Sequence, residues 1–229
     1  MKIEINEERK EVLVNGELYV KHEVKSEPVE VKPKLSKKWG GIVPHVSWSK
    51  GAVSPPIPSS WNTEGEYAAA KRINEYDYGL IELKSLKDAG LIKAYRDTSG
   101  DRISGNYSAH KKASETLSQR YLISPHKNAY NGKVGGFEVL ILKGDQESFY
   151  YARLWLEVMS KHFPDRKHRG VKEIASGGRG YGNLAGMKDG GAKVALLTEA
   201  FFIDNPSDYI TQDEMHAMWK EFFERAEEL

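Results

Sequence analysis

The 229-residue chain contains no cysteine. That absence removes disulfides, cysteine-based zinc fingers and thiol nucleophiles together, so any metal must be held by His, Asp or Glu. Net charge is nearly absent too: 34 Lys and Arg stand against 33 Asp and Glu, formally +1. No global field therefore draws the chain to nucleic acid. No apolar run approaches the roughly 18 residues of a membrane span, so no membrane insertion is expected. The opening "MKIEINEERKEVLVNG" lacks the apolar core of a secretory signal, and synthesis in a cytoplasm is the expectation.

What is present suffices for one substantial core: 39% hydrophobic residues, with five Trp, seven Phe and twelve Tyr. Residues 1–38 read as an extension. "EVLV" and "ELYVKHEV" flank Asn15-Gly16, the pattern of a small β-hairpin. The Pro- and Lys-rich "KSEPVEVKPKLSKK" then reads as a linker. Residues 39–229 form the main domain, opening with the strand and turn "GGIVPHV". The three prolines of "SWSKGAVSPPIPSS" impose an irregular loop. Helix-compatible sequence resumes at Thr63 and runs, with interruptions, through "INEYDYGLIELKSLKDAG", with Leu80, Leu83, Leu86 and Leu91 on its apolar side and Gly90 as its stop. A strand "LIKAYRD", a helix over Ala109 to Gln119, a strand at Tyr121 and the alternating strand "GFEVLIL" follow. The amphipathic helix "QESFYYARLWLEVMSKHF", a buried strand in "GGAKVALLTEAFF" and a closing helix complete the chain. That last helix carries Thr211 as cap with Glu214 three residues on. Strands alternating with helices predict an α/β fold: a single twisted mixed sheet with helices on both faces.

Ligands of such sheets sit beyond the strand ends. Three polar residues stand there: His45 after "GGIVP", His126 after "LISP" and Glu199 after "VALLT". Glu199 is the most telling, because apolar residues flank it on both sides. A buried carboxylate costs several kcal/mol unless it is paired or bound to a metal. The same burial raises its pKa towards a value useful to a general base. Taken singly, His126 reads as a structural histidine and Glu199 as a partner for an arginine or a helix cap. His22, His110, His162, His168 and His216 read as surface residues, and "DRKHRG" as a solvated basic loop. "GGRGYGNLAG" has the glycines of a phosphate loop, but no strand before it and no Lys-Ser/Thr ending, so it reads as a flexible loop.

Four blocks taken in order resemble the zinc-dependent N-acetylmuramoyl-L-alanine amidases of the amidase 3 type. They are "IVPHVSWSKG", "NEYDY", "SPHKNA" and "LLTEAFFIDNPSDY", and they span about five-sixths of the chain from Trp39. The resemblance implies zinc bound by His45, Glu75 and His126, with water in the fourth position and Glu199 as catalytic acid and base. Glu64 and Glu66 lie in the same long interval after His45 and are the alternatives to Glu75. The substrate would be peptidoglycan, cut between N-acetylmuramic acid and the L-Ala of the stem. With that substrate in view, Asn128 and the Gly-rich loop's Arg179, or Tyr181, are expected to line a substrate groove, and the basic cluster "DRKHRG" is the alternative contact for an anionic wall polymer. A phage endolysin, made in the host cytoplasm and acting on the bacterial wall as a monomer, fits the size and the start of the chain. A bacterial autolysin or spore-release enzyme, a zinc peptidase acting within the stem, and a catalytically dead wall-binding module are the rivals. Lys127 is expected to face substrate or water.

Overall fold

The computed structural model describes residues 3–6, 11–14, 17–20, 38–45, 51–55, 72–98 and 105–229. These fall into two compact units, Met1–Lys32 and Pro33–Leu229. In the first, β1 (Ile3–Asn6), β2 (Glu11–Val14) and β3 (Glu17–Val20) form an antiparallel sheet with Val14 opposite Glu17. The expected hairpin thus gains a third strand. The Pro- and Lys-rich segment up to residue 37, His22, and the stretch holding Glu64 and Glu66 lie outside the described residues.

The second unit is built on one mixed sheet of six strands, ordered β5-β4-β6-β9-β7-β8. Its strands are β4 (Trp39–Ile42), β5 (Ala94–Arg96), β6 (Tyr121–Asn128), β7 (Phe137–Leu142), β8 (His168–Ile174) and β9 (Val194–Phe202). The first four strands in that order run parallel, while β7 meets β9 antiparallel and carries β8 parallel to itself. Alternate residues of each strand feed two cores. On one face Ile123, Val139 and Leu196 pack under α1 (Glu75–Asp88), α3 (Gln146–His162) and α5 (Gln212–Glu227). On the other, Leu122, Leu140 and Leu197 pack under α2 (Asn106–Thr116) and α4 (Tyr181–Asp189). Among the described residues, no helix is long and apolar enough to cross a membrane.

Local chemistry sets the helix ends. Asn74 caps α1 by accepting from the Asp77 amide, and Asp145 caps α3 through Ser148. Thr211 and Glu214 close the expected capping box on α5. Helix α2 begins three residues before the expected start, directly after Gly105. Two elements escaped the sequence reading. Strand β8 is an edge strand half-buried along most of its length, so it shows no apolar alternation and looks like a basic loop. Arg169 within it and Arg166 just before it are nevertheless turned inward, onto Glu138 and Asp208. Helix α4 hides in the Gly-rich stretch expected to be a flexible loop. Its glycines serve close packing: a Cβ on Gly186 would lie 2.4 Å from the Tyr107 carbonyl oxygen of α2.

Candidate metal centre

Strand register assembles the site. The parallel pairing of β6 with β9 sets His126 opposite Glu199, and the antiparallel pairing of β9 with β7 sets Glu138 opposite the same Glu199. Residues directly opposite one another project to the same face, so three titratable side chains stand in a row across adjacent central strands. His45 comes in from the segment after β4, and Glu75 is the first residue of α1.

The carboxylate of Glu75 joins the two histidines. Its Oε2 lies 2.9 Å from His45 Nε2 and its Oε1 lies 2.7 Å from His126 Nδ1. Backbone amides of Ala52 and Lys127 also donate to it, at 3.2 and 3.1 Å. One ligand atom from each of His45, Glu75 and His126 falls within 4.8 Å of the others, a group that could hold a metal ion. Burial raises the Glu75 carboxyl, but the charges and hydrogen bonds of His126 and His45 more than reverse this and leave it well below the usual range. Burial lowers His126, with Glu75 opposing. Both shifts favour the deprotonated groups a metal needs. Two imidazole nitrogens and one carboxylate fit a divalent ion such as zinc, with a position left open. Gly51 makes the approach possible, since a Cβ there would lie 2.5 Å from Glu75 Oε2 and from the His45 ring.

Beside this group lies a cavity of about 320 Å³ whose walls include His45, Glu75, His126, Arg179, Asn183 and Glu199. Burial pushes the Glu199 carboxyl up to about 8; the charge of Arg179 opposes the shift, and Glu138 adds to it. Arg179 Nη2 stands 3.0 Å from Glu199 Oε2, though that buried oxygen accepts no hydrogen bond from it. Arg179 also donates to Glu138 Oε1, and its Nη1 donates to Asn128 Oδ1 at 2.9 Å. Asn128 Nδ2 in turn donates to Glu138 Oε1 at 3.0 Å, and Arg169 holds the other oxygen of Glu138, also at 3.0 Å. Both polar ends of the Asn128 amide are thus committed within the protein, while the Arg179 side chain is 55% exposed at the cavity wall. Tyr181 opens α4 and is half-buried.

Three expectations change. Lys127 faces neither substrate nor water: its ammonium is fully buried, 2.7 Å from Glu82 Oε2 and 3.1 Å from the Pro125 carbonyl oxygen. β6 alternates, so the residue after His126 points into the opposite core, where Glu82 of α1 receives it. His110 is buried rather than superficial, with Nε2 3.2 Å from Asn183 Nδ2. His162 and His216 are half-buried, on Glu221 and Ser85 respectively. Glu138 was missed although its signal was present: a lone charge between Phe137 and Val139 invites the argument used for Glu199. Asn183 carried no such signal.

No protein-family model and no curated protein sequence matches the chain. Solved structures do. Cwp6 from Clostridium difficile superposes with a TM-score of 0.58 at 24% identity, covering 83% of this chain and 29% of that one. The chain therefore spans less than a third of Cwp6. An N-acetylmuramoyl-L-alanine amidase from Clostridium difficile 630 superposes with a TM-score of 0.61 at 17% identity, covering 85% of this chain and 97% of that one. The catalytic domain of the CD27L endolysin, which targets Clostridia difficile, gives 0.55 at 19% identity over 82% and 97%. At these identities the likeness establishes a shared fold.

Proposed function

We propose that the protein is a zinc-dependent N-acetylmuramoyl-L-alanine amidase that hydrolyses peptidoglycan. The observation that carries this reading is the convergence of His45, Glu75 and His126 beside a buried Glu199, on a fold shared with amidases of that name. When bound, zinc would supply a Lewis acid for the scissile carbonyl and lower the pKa of a water to about 7. The chain's own residues do the rest. Glu75, held by two backbone amides, and the two imidazoles fix the charge and direction of the site. Glu199, raised towards neutrality by burial, takes the proton of the attacking water and passes it to the departing amine nitrogen. The nitrogen must be protonated to leave, so one carboxyl that exchanges its proton near neutral pH serves both halves of the reaction. Arg179 orients Glu199 and, from its exposed edge, meets the stem peptide; Asn128 and Glu138 brace it. Hydrolysis of the bond between N-acetylmuramic acid and L-Ala frees an L-Ala amino terminus and leaves the glycan whole.

A phage-endolysin role, with the bacterial cell wall as its place of action, is the finer part of the proposal and is supported by the likeness to the CD27L domain. Purified cell walls digested with the protein test the reaction. The expected result is loss of turbidity with new L-Ala amino termini, abolished by a chelator and restored by zinc. New D-Ala or diamino-acid termini, or lysis unchanged after thorough metal removal, refute it.

A further inference from the structure

We infer that Asn183 is a positioning residue for His126, its amide holding the far edge of the ring so that Nδ1 faces the cation site. The inference rests on the metal reading above and adds to it a residue outside the ligand set.

Asn183 lies in the first turn of α4, 4% exposed, and three elements converge on its amide. Its Nδ2 is 3.3 Å from the Pro44 carbonyl oxygen, 3.2 Å from His110 Nε2 and 3.1 Å from His126 Nε2. The roles of the first two partners are determined. A carbonyl oxygen only accepts, so Pro44 calls for the amide nitrogen. His110 Nδ1 lies 2.9 Å from the Asn106 carbonyl oxygen and must donate to it, which leaves His110 Nε2 as an acceptor. With two acceptors facing it, the amide presents its NH₂ group; its two hydrogens serve two of the three acceptors, and with Ser124 Oγ donating to His110 Nε2 at 3.3 Å, they go to Pro44 and His126 Nε2. The proton of a neutral His126 then sits on Nδ1, directed at Glu75 Oε1 2.7 Å away. Partners at both nitrogens clamp the ring.

A cation among the three ligand atoms uses the Nδ1 lone pair, and the ring proton then belongs on Nε2. A side-chain amide offers a donor at one end and an acceptor at the other, so by turning over it can hold that edge in either arrangement, giving up the long 3.3 Å contact with the Pro44 carbonyl oxygen in the second. Ser124 Oγ still supplies His110 with a donor when the amide turns. A hydrocarbon of similar size could hold neither form.

The test is zinc affinity, measured by titrating metal-free protein against a colorimetric chelator, with melting of the metal-free form followed alongside. Wild type is expected to bind one zinc ion. Asn183→Leu is expected to bind about 10- to 100-fold more weakly, the usual loss when the partner of a ligating histidine is removed. Asn183→Asp keeps an acceptor for the Nε2 proton and should remain within about threefold of wild type, an order-of-magnitude expectation on the same grounds. If the leucine variant does not fold, Asn183→Ser, too short to reach the ring, takes its place with the same expected loss. A leucine or serine variant that melts lower yet binds zinc like wild type reduces Asn183 to packing and overturns the inference. An aspartate variant as weak as the leucine one overturns it too. Wild type that takes up no zinc brings down the metal reading itself, a result separable from either.

Discussion

Replacing Lys127 by methionine removes one half of a fully buried ion pair and leaves the other half in place. The Lys127 ammonium sits 2.7 Å from Glu82 Oε2 with side-chain exposures of 0% and 2%. It also lies 4.5 Å from the centre of the Tyr78 ring, while Trp219 Nε1 donates to the other oxygen of Glu82. At that separation and an effective dielectric near 20, the Coulomb attraction is about 6 kcal/mol. Desolvating two ions costs several kcal/mol each, so the intact pair is close to neutral for stability. The single variant keeps the cost of burying Glu82 and loses the attraction, and it should be destabilised by about 3–5 kcal/mol. The double variant Lys127→Met, Glu82→Met removes both charges. Its main residual cost is the orphaned Trp219 N–H, roughly 1–3 kcal/mol. Urea unfolding of metal-free protein at pH 7 reads both variants as midpoint shifts at unchanged slope. The reasoning fails if the single variant costs under about 1 kcal/mol, or if the double variant is no more stable than the single, since breaking a buried pair must cost more than replacing it.

Glu199→Gln should retain zinc and fold while lowering turnover by about 10²- to 10⁴-fold, the usual worth of general acid–base catalysis; zinc content and wall digestion check this. The same variant should show a pH signature in the metal-free protein. The folded Glu199 carboxyl titrates near 8 against an ordinary 4.5, so its contribution is fully present below pH 4.5 and is lost as pH rises to about 8. Wild type should therefore lose stability relative to Glu199→Gln across that window, and parallel urea midpoints at pH 5 and pH 8.5 would contradict the burial argument. Gly51→Ala, at φ +73° and 2.5 Å from both Glu75 Oε2 and the His45 ring, should weaken zinc binding by at least about tenfold, comparable to losing a ligand's support. Undiminished binding would show that the loop yields. Thr211→Ala opens the capping box of α5 and should cost about 1 kcal/mol in urea unfolding.

Legibility followed locality. The caps of α5, the apolar runs of β6 and β9, and the helix periods of α1, α3 and α5 are properties of contiguous residues, and they were readable. His45, His126 and Glu199 stood out as polar residues among apolar ones, but His126 and Glu199 lie within β6 and β9 rather than beyond their ends, because both strands continue past them. Strand β8 and helix α4 were not readable. An edge strand need not alternate, and glycines chosen for contact with α2 look the same as glycines chosen for freedom.

By itself, then, the sequence determined the fold class, the polar groups set among apolar strand residues, and the exclusion of thiol chemistry. Tertiary structure alone decided how those groups are supported. Register across three strands placed Glu138 beside Glu199, and the packing of α4 on α2 brought Asn183 to His126 and His110. Pleating turned the Lys127 ammonium onto Glu82 in the opposite core. These are distances between residues tens of positions apart in the chain, and only packing of the helices onto the sheet sets them.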